Sequence, residues 1–289
     1  MSATMRGHVT IVEMAPRDGL QNESRLVGTP DKIRLVDLLS DCGYERIEVT
    51  SFVSAKWVPQ MADAADVMAG IRRRPGTRYA VLTPNLRGLE AAIEAGADEV
   101  AIFASASETF SQKNINCSIA ESIERFRPVA DICRERGLLL RGYVSCVVEC
   151  PYEGAIAPAS TAYVAGLLNA LGCYEISLGD TIGRGTPEAV DAMLARVLED
   201  VSPENLAGHF HDTSGRALDN IAVSLDRGLR VFDASAGGLG GCPYAPGAAG
   251  NVDTLAVNAF VAAKGFSTGL DPAKLEQAAA FARSLRSGQ

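Results

Sequence analysis

The feature that most constrains this chain is a repeated punctuation mark. Five times, an amphipathic stretch ends at a glycine and a short β-branched run follows within a few residues. Cys42-Gly43 leads into Arg46–Ser51, Ala95-Gly96 into Glu99–Phe103, and Arg136-Gly137 into Leu139–Val144. Leu171-Gly172 leads into Tyr174–Leu178, and Arg227-Gly228 into Leu229–Asp233. Glycine supplies the left-handed residue that closes a helix. A fixed order of helix, glycine and strand is therefore a repeated αβ unit.

Three further strands complete the series: Val9–Met14, Arg78–Thr83 and Leu206–His211. Eight strand candidates result, near residues 11, 48, 81, 101, 142, 177, 208 and 232. Thr29 as cap, Pro30 and Asp31 predict the first helix, with Ile33, Val36 and Leu39 as its apolar stripe. Ser118-Ile-Ala-Glu121 has the form of a capping box, and Thr186-Pro187-Glu188 starts another helix. Pro128 predicts a kink or two shorter helices between residues 119 and 136. Alternating strands and helices imply a parallel sheet, and eight units imply an α/β (β/α)8 TIM barrel. The expected division is one domain over 1–289, with the barrel at about 8–237, a loop at 237–251 and additional C-terminal helices within 253–286.

Composition narrows the function. The net charge of −8 argues against a nucleic-acid binder, which carries a basic face. No apolar run reaches a membrane span, and no export signal is seen, so a cytoplasmic protein is expected. The seven cysteines contain no Cys-x-x-Cys pair and read as reduced thiols. Cys117, Cys133 and Cys173 read as small packed residues.

In barrels of this kind the chemistry sits at the C-terminal ends of the strands. Arg17 and Asp18 follow the first strand, and Glu48 lies in the second among apolar neighbours. Arg141 and Tyr143 lie in the fifth strand, and Ser177, Asp180 and Thr181 at the end of the sixth. Two of the chain's three histidines, His209 and His211, end the seventh. In a strand, residues i and i+2 share a face, so both imidazoles point the same way. Taken alone, the pair is either half of a metal site or polar surface on a barrel wall. Asp18 alone is either a turn cap or a ligand, and Glu48 alone is a partner for Arg17. Together, Asp18, His209 and His211 are plausible ligands of one divalent metal, compatible with Mn²⁺, Mg²⁺, Fe²⁺ or Zn²⁺. The absence of a neighbouring thiolate argues against structural zinc. The segment Gly237–Asn251 is rich in glycine and proline and follows the last strand. It is either a plain flexible loop or a lid that brings Cys242 as acid or base and Asn251 as an oxygen ligand.

Several stretches together resemble the 3-hydroxy-3-methylglutaryl-CoA lyases, metal-dependent barrels related to isopropylmalate and homocitrate synthases. They are Pro16–Glu23, Glu48–Ser54 with Lys56–Met61, Lys113–Ser118, Arg141–Cys146, Cys150–Gly154, Gly172–Gly183, His209–Thr213 and Gly238–Ala245. The resemblance runs from Val9 to about residue 265, and the Cys242 loop is its most specific part. It implies cleavage of 3-hydroxy-3-methylglutaryl-CoA to acetoacetate and acetyl-CoA, with Mg²⁺ or Mn²⁺ as cofactor. It implies metal ligation by Asp18, His209, His211 and Asn251, with Arg17 stabilising the enolate and Glu48 supporting Arg17. Asp180 would contact substrate, Cys242 would be the lid thiol, and Lys113, Asn114, Arg141 and Tyr143 would lie near the CoA chain. The expected partner is an acyl-CoA, and the expected assembly a homo-oligomer, a dimer. Ser214-Gly215 and Glu149 depart from the family pattern, which keeps a related 3-hydroxyacyl-CoA open as substrate. An acetyl-CoA-dependent synthase acting on 2-oxo acids is the competing enzyme class.

Overall fold

The structure, a computed structural model, describes residues 7–241 and 250–286. Eight parallel strands close into a barrel: β1 (Thr10–Glu13), β2 (Arg46–Ser51), β3 (Arg78–Leu82), β4 (Glu99–Ser105), β5 (Leu139–Ser145), β6 (Glu175–Asp180), β7 (Leu206–Phe210) and β8 (Val231–Ala234). Neighbours in sequence are neighbours in the barrel, and β8 pairs with β1 to close it. All eight strand positions expected from the sequence are occupied.

The helices between them are α1 (Thr29–Ser40), α2 (Ala64–Gly70), α3 (Leu86–Glu94), α4 (Glu108–Ile115), α5 (Ile119–Arg136), α6 (Pro158–Leu171), α7 (Pro187–Val197) and α8 (Ala217–Asp226). The C-terminal helices α9 (Thr254–Ala263) and α10 (Pro272–Ser284) follow the last strand, as expected. The five punctuating glycines, 43, 96, 137, 172 and 228, all adopt positive φ. That is the backbone state the pattern requires.

Three local expectations are corrected. Thr29 is the first helical residue of α1 and Gly28 is its cap; the Thr29 hydroxyl donates to Asp63 instead. The span around Pro128 is one 18-residue helix, α5. A full capping box at Ser118 and a left-handed Gly137 secure its two ends, while Ile123, Phe126 and Val129 bury its stripe. Those contacts outweigh the single backbone hydrogen bond that proline removes. Finally, residues 149–155 form a small antiparallel hairpin that no periodicity announced.

Candidate active site

The residues after β1 do not form a loose turn. Ala15–Gly19 make a π-helical turn, closed by the Gly19 amide donating to the Met14 carbonyl at 3.0 Å. Single π turns recur at functional sites because they push one side chain out of helical register. Here the turn swings Arg17 and Asp18 over the barrel mouth. It also presses against the segment after β8: a Cβ on Gly19 would lie 2.8 Å from Leu239 Cβ. Across the gap, a Cβ on Gly240 would lie 2.6 Å from the Asn251 amide nitrogen, so the backbone there fits only glycine.

Asp18, His209 and His211 each offer one ligand atom, and these atoms lie within 4.8 Å of one another. The two imidazoles stand with centroids 5.4 Å apart. Phe210, between them in sequence, is buried in the core. Asn251 joins the cluster through its side-chain amide, 2.7 Å from Asp18 Oδ2, and its backbone bridges that of His211. The same amide nitrogen also donates to the Leu239 carbonyl at 3.2 Å, which ties Asn251 to the segment after β8.

The donor set fits a divalent cation on three observations. His211 Nδ1 is buried with no hydrogen-bond partner among the described residues. Burial and the neighbouring His209 push the His211 imidazole down to about 4, so it is neutral at pH 7, the form that ligates. Burial raises the Asp18 carboxyl, but Arg17, then His209 and His211, outweigh it and hold the group at about 2. An anionic oxygen and two imidazoles converging in a partly buried site suit Mg²⁺, Mn²⁺, Fe²⁺ or Zn²⁺.

Arg17 is 6% exposed and held on two sides. Its Nε donates to Glu48 Oε2 at 2.5 Å and its Nη1 to Asp18 Oδ1 at 2.7 Å. Tyr143 donates to the other Glu48 oxygen at 3.0 Å, and its ring lies 5.7 Å from the guanidinium carbon. Arg17 is thus fixed by a buried carboxylate rather than by solvent-exposed pairing.

Asp233, at the end of β8, was not singled out in the sequence and proves central. It accepts from Arg141 at 2.7 Å and from Ser177 Oγ at 2.7 Å, and lies 3.1 Å from His209 Nδ1. With Nδ1 so engaged, Nε2 is the His209 nitrogen left for ligation. A carboxylate behind a ligating imidazole fixes its tautomer and orientation. The signal was available: like Glu48, Asp233 is an acid inside an otherwise apolar strand.

Other expected residues fall outside the cluster. Arg141 is 1% exposed, and its guanidinium binds Asp233, Glu175 and Tyr143 inside the barrel. Ser177 likewise faces Asp233 from within. Asp180 accepts from the Gly185 and Arg184 amides, and burial pushes its carboxyl up to about 6. The Thr181 hydroxyl accepts from the Cys146 amide at 2.9 Å. Lys113 and Asn114 are exposed on α4, with the Lys113 amine 4.9 Å above the Tyr152 ring of the unforeseen hairpin. Cys242 lies outside the described residues. Cys117, Cys133 and Cys173 are buried, as expected.

Fold and site together define a (β/α)8 barrel with a candidate carboxylate–imidazole metal site at its rim. Sequence comparison is more specific: the family model described as HMGL-like matches residues 8–282, and the chain belongs to that family. It is 55% identical to a mitochondrial hydroxymethylglutaryl-CoA lyase of Bos taurus, over 96% of this chain and 86% of that one. It is 57% identical to a 3-hydroxy-3-isohexenylglutaryl-CoA/hydroxy-methylglutaryl-CoA lyase of Pseudomonas aeruginosa, over 91% of this chain and 88% of that one. Among solved structures, the HMG-CoA lyase of Brucella melitensis superposes with TM-score 0.96 at 64% identity, covering 97% of this chain and 99% of that one.

Proposed function

We propose that this protein is a divalent-metal-dependent carbon–carbon lyase that cleaves 3-hydroxy-3-methylglutaryl-CoA to acetoacetate and acetyl-CoA. The observation that carries the reading is the convergence of Asp18, His209 and His211 beside a buried Arg17–Glu48 pair, in a chain more than half identical to lyases of that name. Breaking the bond beside a tertiary alcohol requires removing the hydroxyl proton and stabilising a thioester enolate.

Asp18, His209, His211 and Asn251 are the proposed ligands of Mg²⁺ or Mn²⁺. Such an ion supplies a Lewis acid that acidifies and orients the substrate hydroxyl. Arg17 is assigned the thioester oxygen, where a fixed cation steadies developing negative charge. Glu48 and Tyr143 hold that guanidinium so that it need not reorganise during the reaction. A carboxylate at the rim takes the hydroxyl proton, with Asp18 and Asp180 as candidates, while His209 acts through the ion it holds. Cys242 is assigned the proton delivered to the departing acetyl-CoA carbanion, on a lid that keeps water away. Ser177 and Thr181 are assigned to the β6 end of the site, and Lys113, Asn114, Arg141 and Tyr143 to the CoA side.

A related 3-hydroxyacyl-CoA is a second reading. The Pseudomonas aeruginosa relative at 57% identity carries a longer acyl group in its name. In this chain Glu149 of the hairpin pairs with Arg184 at 3.1 Å, and the Arg184 amide donates to Asp180, so the pair puts charge beside that carboxyl. An HMG-CoA lyase of an Acinetobacter species, 37% identical, was solved with coenzyme A and 3-methylmalate, which supports an acyl-CoA substrate here. Among the described residues no helix is long and apolar enough to cross a membrane. The proposal includes a cytoplasmic, dimeric enzyme of one catalytic domain serving leucine breakdown.

The test is product formation by purified protein with Mg²⁺ or Mn²⁺, against a panel of 3-hydroxyacyl-CoA thioesters. Acetoacetate from the methylglutaryl thioester supports the reading. No acetoacetate, with CoA released from acetyl-CoA plus a 2-oxo acid instead, would replace it with the synthase.

A further inference from the structure

Glu13, the last residue of β1, is an acid that the proposed chemistry does not use, yet it is 0% exposed. Its neighbour Met14 lies 3.9 Å from the Tyr143 hydroxyl inside the barrel, so Glu13 faces outward, between the sheet and the helical layer. There its carboxylate collects four donors. Oε1 accepts from the Ala15 amide at 2.8 Å and the Ala236 amide at 2.9 Å. Oε2 accepts from the Thr254 hydroxyl at 3.1 Å and from the Tyr44 hydroxyl.

Those donors sit in informative places. Ala15 opens the π turn that carries Arg17 and Asp18. Ala236 lies on the segment leaving β8, and Thr254 is the first residue of α9, three positions after Asn251. Ser235 and Asp253 form a backbone bridge beside them, so the two segments run together at this point. We infer that Glu13 is a positioning residue for the metal rim: one buried carboxylate fixes the Arg17–Asp18 turn relative to the segment that presents Asn251. The inference rests on the ligand set proposed above.

The chemistry favours a carboxylate here over its neutral isostere. A carboxylate accepts at both oxygens, whereas a glutamine amide accepts at one and donates at the other. Glutamine can keep the two backbone amides only by turning its own N–H bonds toward the Tyr44 and Thr254 hydroxyls, which must then accept instead of donate, so both hydroxyl contacts have to be rebuilt. Burial pushes the Glu13 carboxyl up to about 7, against the pull of its four hydrogen bonds.

The experiment compares wild type with Glu13→Gln and Thr254→Val, the second cutting only the tie to the Asn251 side. Three quantities are read: amide exchange over residues 14–19 and 235–254, Mn²⁺ affinity by titration, and kcat and KM for the thioester. Glu13→Gln is expected to speed exchange at Ala15 and Ala236 about tenfold and weaken Mn²⁺ about tenfold. It is also expected to lower kcat about tenfold or more while KM stays within about twofold. Thr254→Val is expected to move the same quantities in the same direction by a few fold. Wild-type exchange, Mn²⁺ affinity and kcat in both variants, with only the melting temperature lowered, would overturn the inference. If Glu13→Gln does not fold, Thr254→Val decides by the same criteria. If wild type binds no Mn²⁺, it is the ligand assignment that fails, and the exchange data still judge the tether.

Discussion

At the floor of the barrel, Arg46 grips Glu175 with two hydrogen bonds of 2.7 and 2.9 Å, and Arg141 takes the same carboxylate at 2.7 Å. Tyr174 joins Arg46 to Glu99. Arg46, Glu99 and Glu175 open strands β2, β4 and β6, so the cluster is one layer of side chains from alternate strands. At the rim, Asp18, His209 and His211 bring one ligand atom each within 4.8 Å of one another, and His211 Nδ1 has no hydrogen-bond partner among the described residues. Both ends bury charge, but the floor joins one carboxylate, Glu175, to two guanidinium groups while the rim gathers ligand atoms around a common point. Buried ion pairs of the first kind hold geometry; buried donors of the second kind wait for a ligand. Arg141 and Asp233 join the two, so the floor also aims His209.

If that contrast is sound, damage at the two ends has different signatures. The largest effect falls at the rim. His209→Ala is expected to lower acetoacetate formation by about a thousandfold or more and to abolish tight Mn²⁺ binding, with a melting temperature close to wild type. Arg17→Gln is expected to cost about 10²–10³ in kcat, the usual loss of one fixed donor to a developing oxyanion, while Mn²⁺ still binds. Equal loss of melting temperature in both variants would erase the distinction between the ends.

Glu175→Ala at the floor is the converse. It strands the buried Arg46 guanidinium and leaves Arg141 with Asp233 alone, and is expected to destabilise the fold by about 3–5 kcal/mol, read by denaturant unfolding. Activity of the fraction that stays folded is expected to fall far less than in His209→Ala.

A smaller effect concerns pH. The folded pKa of Asp180 is raised to about 6 from 3.8, so the ionised group weakens the fold. Its favourable contribution is present below about pH 4 and is lost as pH rises through 6. Asp180→Asn is therefore expected to gain on the order of 2 kcal/mol relative to wild type at pH 7.5, and nothing near pH 4, while losing turnover. A stability difference that does not change between those pH values would contradict the burial argument.

How much of this was legible in the sequence differs between the two ends. Strand positions followed from glycine punctuation and β-branched runs, because helix closure and strand pleating are local. The rim was legible because its residues are chemically conspicuous: two of three histidines one residue apart, and an Arg-Asp pair after a strand. The floor was not, because Arg46 at a strand start looks like a solvent-facing residue until the barrel closes around it. The partners of Arg141 were hidden for the same reason, since Glu175 and Asp233 are 34 and 92 residues away. The π turn escaped notice because a proline- and glycine-containing stretch reads as a loop, and its register depends on contact with Leu239. Pro128 misled in the other direction, as tertiary burial overrode a local breaker.

The central claim is that Asp18, His209 and His211 form one metal site that serves carbon–carbon cleavage. The most direct measurement is turnover of 3-hydroxy-3-methylglutaryl-CoA by chelator-treated protein, before and after adding Mg²⁺ or Mn²⁺. The account predicts no acetoacetate from the stripped protein, and acetoacetate and acetyl-CoA in equal amounts once the ion is restored. Full turnover by the stripped protein would contradict it.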